Sequence, residues 1–213
     1  MRNATKAIVS SLGVLMGAAG IEHGIGEILQ GNIAPAGIMF PSWPNSEFFQ
    51  IVGGEPAMTI VPNLFVTGIL AILSSLVFIG WVTLFVQKKH GGLVLILLSV
   101  IMLLVGGGFA PPILGIILGA AATRINMPLT WWRAYQPDGF QRFLVKIWPG
   151  SLIVCLIAWL LLFPGVNFLG YFFGVNDPSI TILLILFAFA ALLTTITCGF
   201  ANDSYQNGLA PTA

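Results

Sequence analysis

The sequence predicts an all-α, polytopic integral membrane protein of six transmembrane helices with N and C termini cytoplasmic. Three observations carry that prediction. Only 7% of the 213 residues are charged and 57% are hydrophobic, with a mean hydropathy of +0.98. Apolar runs recur at the length of about 20 residues that a bilayer crossing takes. The basic residues fall where an even number of crossings returns them to one face, as the enrichment of Lys and Arg in cytoplasmic loops demands. A soluble domain is about 25% charged. With so few polar groups a water-soluble globule could not cover its surface, whereas a bilayer lets the outside be as apolar as the inside.

The expected organisation is a single transmembrane domain over 1–213, with spans at about 7–30, 59–86, 92–108, 110–125, 147–170 and 180–200. The first span takes in most of RNATKAIVSSLGVLMGAAG (2–20), which has the basic start and small-residue end of a signal peptide cleaved near Ala19. Its apolar run continues past that point, so an uncleaved first helix is expected. The second span ends at Gln87-Lys88-Lys89-His90. The next stretch, GLVLILLSVIMLLVGGGFAPPILGIILGAAATRI, would be about 50 Å long as one helix, against a hydrocarbon core of about 30 Å. Gly106-Gly107-Gly108 and Pro111-Pro112 interrupt it, and both oppose helix continuation. A turn at GGGFAPP makes spans three and four a short hairpin or re-entrant pair. It also keeps Arg2, Lys6, Lys88, Lys89, Arg124, Arg133, Arg142 and Lys146 on the cytoplasmic face. The second arm is short for a full crossing and needs protein or water around its broken backbone.

Two loops carry structure of their own. The outer loop, 31–58, places Phe40, Trp43, Phe48 and Phe49 at the headgroup layer. The inner segment, 126–148, is an interfacial amphipathic stretch. There Asp138 and Gln141 make a capping box, Phe140, Phe143, Leu144 and Ile147 share one face, and the chain bends into the fifth span at Pro149-Gly150. Asn176-Asp177-Pro178-Ser179 makes the turn before the last span, with Ser179 as its cap. Arg124 and Trp131-Trp132-Arg133 are expected interfacial anchors. Asn63, Ser74, Ser75, Thr194, Thr195 and Thr197 are expected to hydrogen-bond within the bundle.

The functional question sits in GIEHGIGEIL, 20–29, where three ionisable groups interrupt an apolar run. At 100° per residue Gly13, Gly17, Gly20, Gly24 and Gly31 form one stripe, with Glu27 inside it, His23 at its edge and Glu22 nearly opposite. A small-residue stripe lets another backbone approach closely, so the first helix is expected at the centre of the bundle. The same stripe, through Gly13, Gly17, Gly20 and Gly24, is a candidate contact with a second copy or a partner subunit. His23 and Glu27, four apart, can pair. Glu22 and His23 lie about 22–24 Å above the inner interface. With Glu55, and with Glu47 and Asp177 further out, they suggest an acidic outer vestibule roofed by GGGFAPP. Intramembrane ionisable residues are costly and usually functional. The candidate binding residues are therefore Glu22, His23, Glu27, Glu55, Gly107 and Pro111, while a purely structural role for the same carboxylates remains open.

Much is excluded. Eight basic and seven acidic residues give a net charge of +1, which argues against nucleic acid. Cys155 and Cys198 both lie in spans and offer no disulfide framework. Two histidines at opposite ends, His23 and His90, cannot supply the three ligands of a catalytic zinc, and EHxxxE matches neither ExxH nor HExxH. No cofactor motif and no catalytic residue set is visible, which leans away from an enzyme. Three classes stay open. First comes a small transporter or channel for a cation, proton-coupled or taking a small solute; the others are a membrane-embedded enzyme on a lipid or quinone-like substrate and a non-catalytic subunit. The expected location is a plasma or inner membrane.

Overall fold

The structure, a computed structural model, describes residues 3–130, 132, 136–175 and 177–209. Arg2, Trp131, Arg133 and Asn176 lie outside the described residues. The fold is all-helical, with seven α-helices and one two-stranded ribbon among the described residues. Four helical segments are long and apolar enough to cross a membrane.

Helix α1 (Ala4–Gln30) starts where the Asn3 side chain accepts a hydrogen bond from Lys6 N–H. It ends at Gly31, whose φ of +88° suits a residue without a Cβ. The 31–58 loop folds back through strands β1 (Met39–Pro41) and β2 (Pro56–Met58), paired antiparallel, with a 3₁₀ turn, Glu47–Val52, between them. Helix α2 (Leu64–Gly80), capped by Asn63, runs on as a π turn, Trp81–Phe85. Helices α3 (Gly91–Leu104) and α4 (Ala110–Ala122) follow. Helix α5 (Asp138–Leu160) leads through a π turn, Leu161–Gly165, into α6 (Val166–Phe173). Helix α7 (Pro178–Leu209) closes the bundle.

The helices pack as three antiparallel pairs. In the first, α1 meets α2 through the glycine stripe. A Cβ on Gly13 would lie 2.6 Å from Val82, and one on Gly24 would lie 2.7 Å from the Gly68 carbonyl, while Gly17 and Gly20 face Ile79 and Ser75. The stripe is thus occupied from within the chain. In the second pair, Gly92 of α3 lies against Thr123, and Gly115 of α4 lies against Ser99. In the third, Thr195 of α7 donates to the Ser151 carbonyl of α5 at 2.9 Å. Helix α1 touches α2, α4 and α7, and its apolar window is 50% buried against 17% for that of α7. It is the axis of the bundle. Ile8, Leu12, Met16, Phe78, Leu95 and Trp159 fill the core around it, while Leu73, Leu93, Ile157 and Leu186 stay exposed, as lipid-facing side chains would.

The turn at 105–109 makes α3 and α4 two helices of about 20 Å each. Their two ends are fixed by contacts. Lys6 Nζ donates to Gln87 Oε1 at 2.5 Å and Asn126 Nδ2 to the Gln87 carbonyl at 3.3 Å. At the other end Ile60 N–H donates to the Leu104 carbonyl at 3.0 Å. Lys6, Gln87 and Asn126 therefore share one end of the bundle, and Gly106–Gly108 lie at the opposite end with Glu27.

Three local expectations need correction. The segment 138–148 is not a separate interfacial helix, because α5 runs through Pro149. Proline removes only its own N–H from the ladder, and the Ser151 hydroxyl bonds the nearby Trp148 carbonyl at 2.8 Å. No capping box forms at Asp138, because Gln141 turns into the bundle and donates to the Ala201 carbonyl of α7. The cap before α7 is Asp177, whose carboxylate accepts from Ser179 N–H at 2.9 Å, and Pro178 takes the first helical position, where its missing N–H costs nothing.

Candidate functional site

The ionisable groups of α1 sort into two sites separated by the glycine turn. In the first, His23 is buried, 2% exposed. Its Nδ1 lies 3.0 Å from the Ala19 carbonyl and 3.0 Å from Glu22 Oε2. Both neighbours are acceptors, so Nδ1 carries the proton and Nε2 points away from the helix. Nε2 faces Glu55 Oε2 at 3.8 Å. The expected His23–Glu27 pair is not formed. Gly108 lies against the imidazole, where a Cβ would come within 2.6 Å of Nε2, and Gly106 lies against the Glu27 carboxylate. The turn thus packs on α1 at both residues. Positive φ at Gly106 and Gly108, +93° and +84°, and the close approach require glycine at these positions.

Glu55 reaches His23 from the 31–58 loop. Its own φ is +57°, an uncommon conformation for a residue with a side chain. The ribbon holds it there: Ser42 N–H donates to the Glu55 carbonyl at 2.9 Å and Trp43 N–H to the Gly54 carbonyl at 2.8 Å. Asn167 of α6, fully buried, donates to Glu55 Oε1 at 3.1 Å. Burial pushes the Glu55 carboxyl above the ordinary carboxylate range; His23 opposes that rise, Glu22 adds to it, and the Asn167 hydrogen bond opposes it.

These groups form the floor of a cavity of about 220 Å³. Leu15, Ala18 and Ala19 of α1 line one wall, Phe163 and Pro164 of the π turn another, and Phe48 and Phe49 the outer rim. Phe48 is fixed by edge contacts to Phe49 and Phe168 at 5.0 and 5.5 Å. Glu22 is the accessible acid, its side chain 34% exposed, and its Oε1 has no hydrogen-bond partner. Ala18, in the cavity wall, is exposed.

The second site surrounds Glu27, which is completely buried. Ser42 donates to Oε1 at 3.4 Å, while Oε2 has no partner. Of the six candidate binding residues, the fold brings Glu22, His23 and Glu55 together and sets Glu27 apart. Gly107 packs on Met102 of α3 and Pro111 is buried in the first turn of α4, and neither lines the cavity. Sequence reasoning missed Asn167, Ser42, Thr59 and Thr67. For Asn167 a signal exists, since it is the lone amide in the apolar run LFPGVNFLG. For the three hydroxyls there is none. Among the described residues no group of three or more His, Cys, Asp or Glu side chains is placed to hold a metal ion.

Set against family models, curated proteins and solved structures, the chain matches none of them.

Proposed function

We propose that this protein is a multi-pass membrane transporter that binds a small organic cation in the Glu22–His23–Glu55 cavity. The single observation that carries the reading is the cavity's composition: two carboxylates flank a buried histidine at the floor of an apolar, aromatic-rimmed space. Phe48, Phe49 and Phe163 suit the body of an organic cation, and ring faces attract positive charge. Glu22 and Glu55 would take the ammonium. A bare ion would leave the apolar walls without a partner. Inward of the cavity, Leu12, Met16, Phe78 and Trp159 form a buried apolar layer, the closed gate of an outward-facing state.

The transport reading places six crossings in a plasma or inner membrane, with the ends of α1 and α7 near Lys6 on the cytoplasmic side. Single cysteines replacing Phe109 and Gly139, in a chain lacking Cys155 and Cys198, should react with an impermeant maleimide from opposite faces of sealed vesicles. Both sites are exposed, and Gly139 has open space around it. Reaction from one face would remove the six-crossing arrangement.

The binding claim is tested on the purified full chain by thermal unfolding with benzylammonium and its neutral relative benzyl alcohol. Binding to the folded state alone raises the midpoint by mass action. Benzylammonium should stabilise the wild type, benzyl alcohol should not, and Glu22→Gln should abolish the shift while keeping the midpoint of the unliganded protein. Equal shifts in both proteins would dispose of a cation held by Glu22. The exposed Ala18 in the cavity wall favours one second reading, an enzyme acting on an amphipathic substrate that enters from lipid with His23 as its base. Consumption of substrate by the isolated protein, without vesicles, would select it.

A further inference from the structure

We infer that the buried pocket around Glu27 is a binding site for a monovalent cation of sodium's size. Glu27 has no exposed surface and sits at the outer end of α1. One oxygen has a single long hydrogen bond, from Ser42 at 3.4 Å, and the other has none. Among the described residues no Lys, Arg or His pairs with it. A buried ionised carboxylate is costly unless paired, so the pocket lacks one positive charge.

The surrounding groups supply oxygen ligands of the right kind. Ser42, Thr59 and Thr67 are 0%, 2% and 0% exposed. The Thr59 and Thr67 hydroxyls lie 3.2 Å apart, and Thr59 also reaches the Leu104 carbonyl at 3.4 Å. A Cβ on Gly106 would collide with both Glu27 oxygens and with the Thr67 methyl, so carboxylate and threonine meet in one small space. The backbone beside them is unwound, as it is where discontinuous membrane helices offer carbonyls to sodium. One carboxylate and the Ser42 hydroxyl that meets it, joined by the Thr59 and Thr67 hydroxyls once these turn from each other, would make a hard, all-oxygen donor set. A divalent ion recruits several carboxylates; here a single negative charge balances a single positive one, and a second would remain unpaid in a dry site. A surface cleft of about 280 Å³, lined by Gln30, Ser42, Trp43 and Asn45, reaches Ser42, the residue that contacts Glu27.

The Glu22 carboxylate is close enough to be felt electrostatically at Glu27, and the test keeps the two sites apart. The full chain in detergent is unfolded thermally in sodium chloride, potassium chloride or caesium chloride at constant ionic strength, with no organic cation present. Wild type and Glu22→Gln should both gain several degrees in sodium, saturably, over caesium, with a smaller gain in potassium. Glu27→Gln should show the caesium midpoint in all three salts. Thr67→Val, which keeps the volume and removes one ligand, should raise the half-saturating sodium concentration at least tenfold; this variant decides if Glu27→Gln does not fold. Identical curves in sodium and caesium would mean that Glu27 is held as a neutral acid, and would overturn the site. Equal gains in sodium and potassium, or an unchanged sodium response in Thr67→Val, would overturn it as well.

Discussion

The two ends of α1 each bury a carboxylate, and they treat it in opposite ways. At the Lys6 end Asp203 of α7 accepts from the Ala4 and Thr5 backbone N–H groups at 2.7 and 3.0 Å. These are donors that a helix start leaves unsatisfied, and the positive end of the helix favours the charge. Asp203 is thereby paired on both oxygens. At the other end Glu27 has one long bond and one bare oxygen, and Glu22 also keeps a bare oxygen. A buried acid whose partners are all supplied by the fold needs no ligand to explain it. One left unpaired points to something the chain alone does not contain.

The largest expected effect tests the paired end. Asp203→Ala removes both helix-capping bonds and the only described hydrogen bonds from the α7 side chain to the start of α1. It should cost about 2 kcal/mol, the upper range for an N-cap with a favourable dipole, read as a fall in the thermal midpoint of the purified chain. Glu27→Gln, measured in caesium chloride, should cost less than half as much, because it removes a charge that has little to bind. Equal losses would erase the distinction between a structural acid and a ligand-seeking one.

What the sequence could disclose follows from what is local. The turn between α3 and α4 is legible because three glycines and two prolines oppose helix within seven residues, 106–112, whatever surrounds them. The glycine stripe is legible because it repeats at helical spacing, and it does accept a close neighbour, though that neighbour is α2 of the same chain. The intact helix through Pro149 is not, since a local rule predicts a break while the bundle tolerates one missing bond. The cavity is only half legible. Glu22 and His23 stand out as charges in an apolar run, but Asn167 reaches Glu55 across 112 positions, and Ser42, Thr59 and Thr67 are ordinary loop and helix hydroxyls until folding encloses them.

The smallest expected effect sharpens the contrast at the outer end, through pH. Burial holds the Glu55 carboxyl above its ordinary range, against the opposing influences of His23 and Asn167 and with that of Glu22. The folded chain therefore keeps this proton at pH values where the unfolded chain has lost it. Stability then falls as pH rises through the folded value, and the contribution is complete only below the ordinary carboxylate range. As pH rises above the ordinary carboxylate range, the wild-type midpoint should decline more steeply than that of Glu55→Gln. Glutamine keeps an oxygen to accept from Asn167 and cannot titrate, so the comparison isolates the proton from the hydrogen bond. A cationic ligand should flatten the wild-type slope, because it supplies the charge that the ionised carboxylate lacks. Equal slopes in the two proteins would mean that water reaches Glu55 as freely as it reaches a surface acid, and the outer site would lose the dry floor that distinguishes it from the paired end.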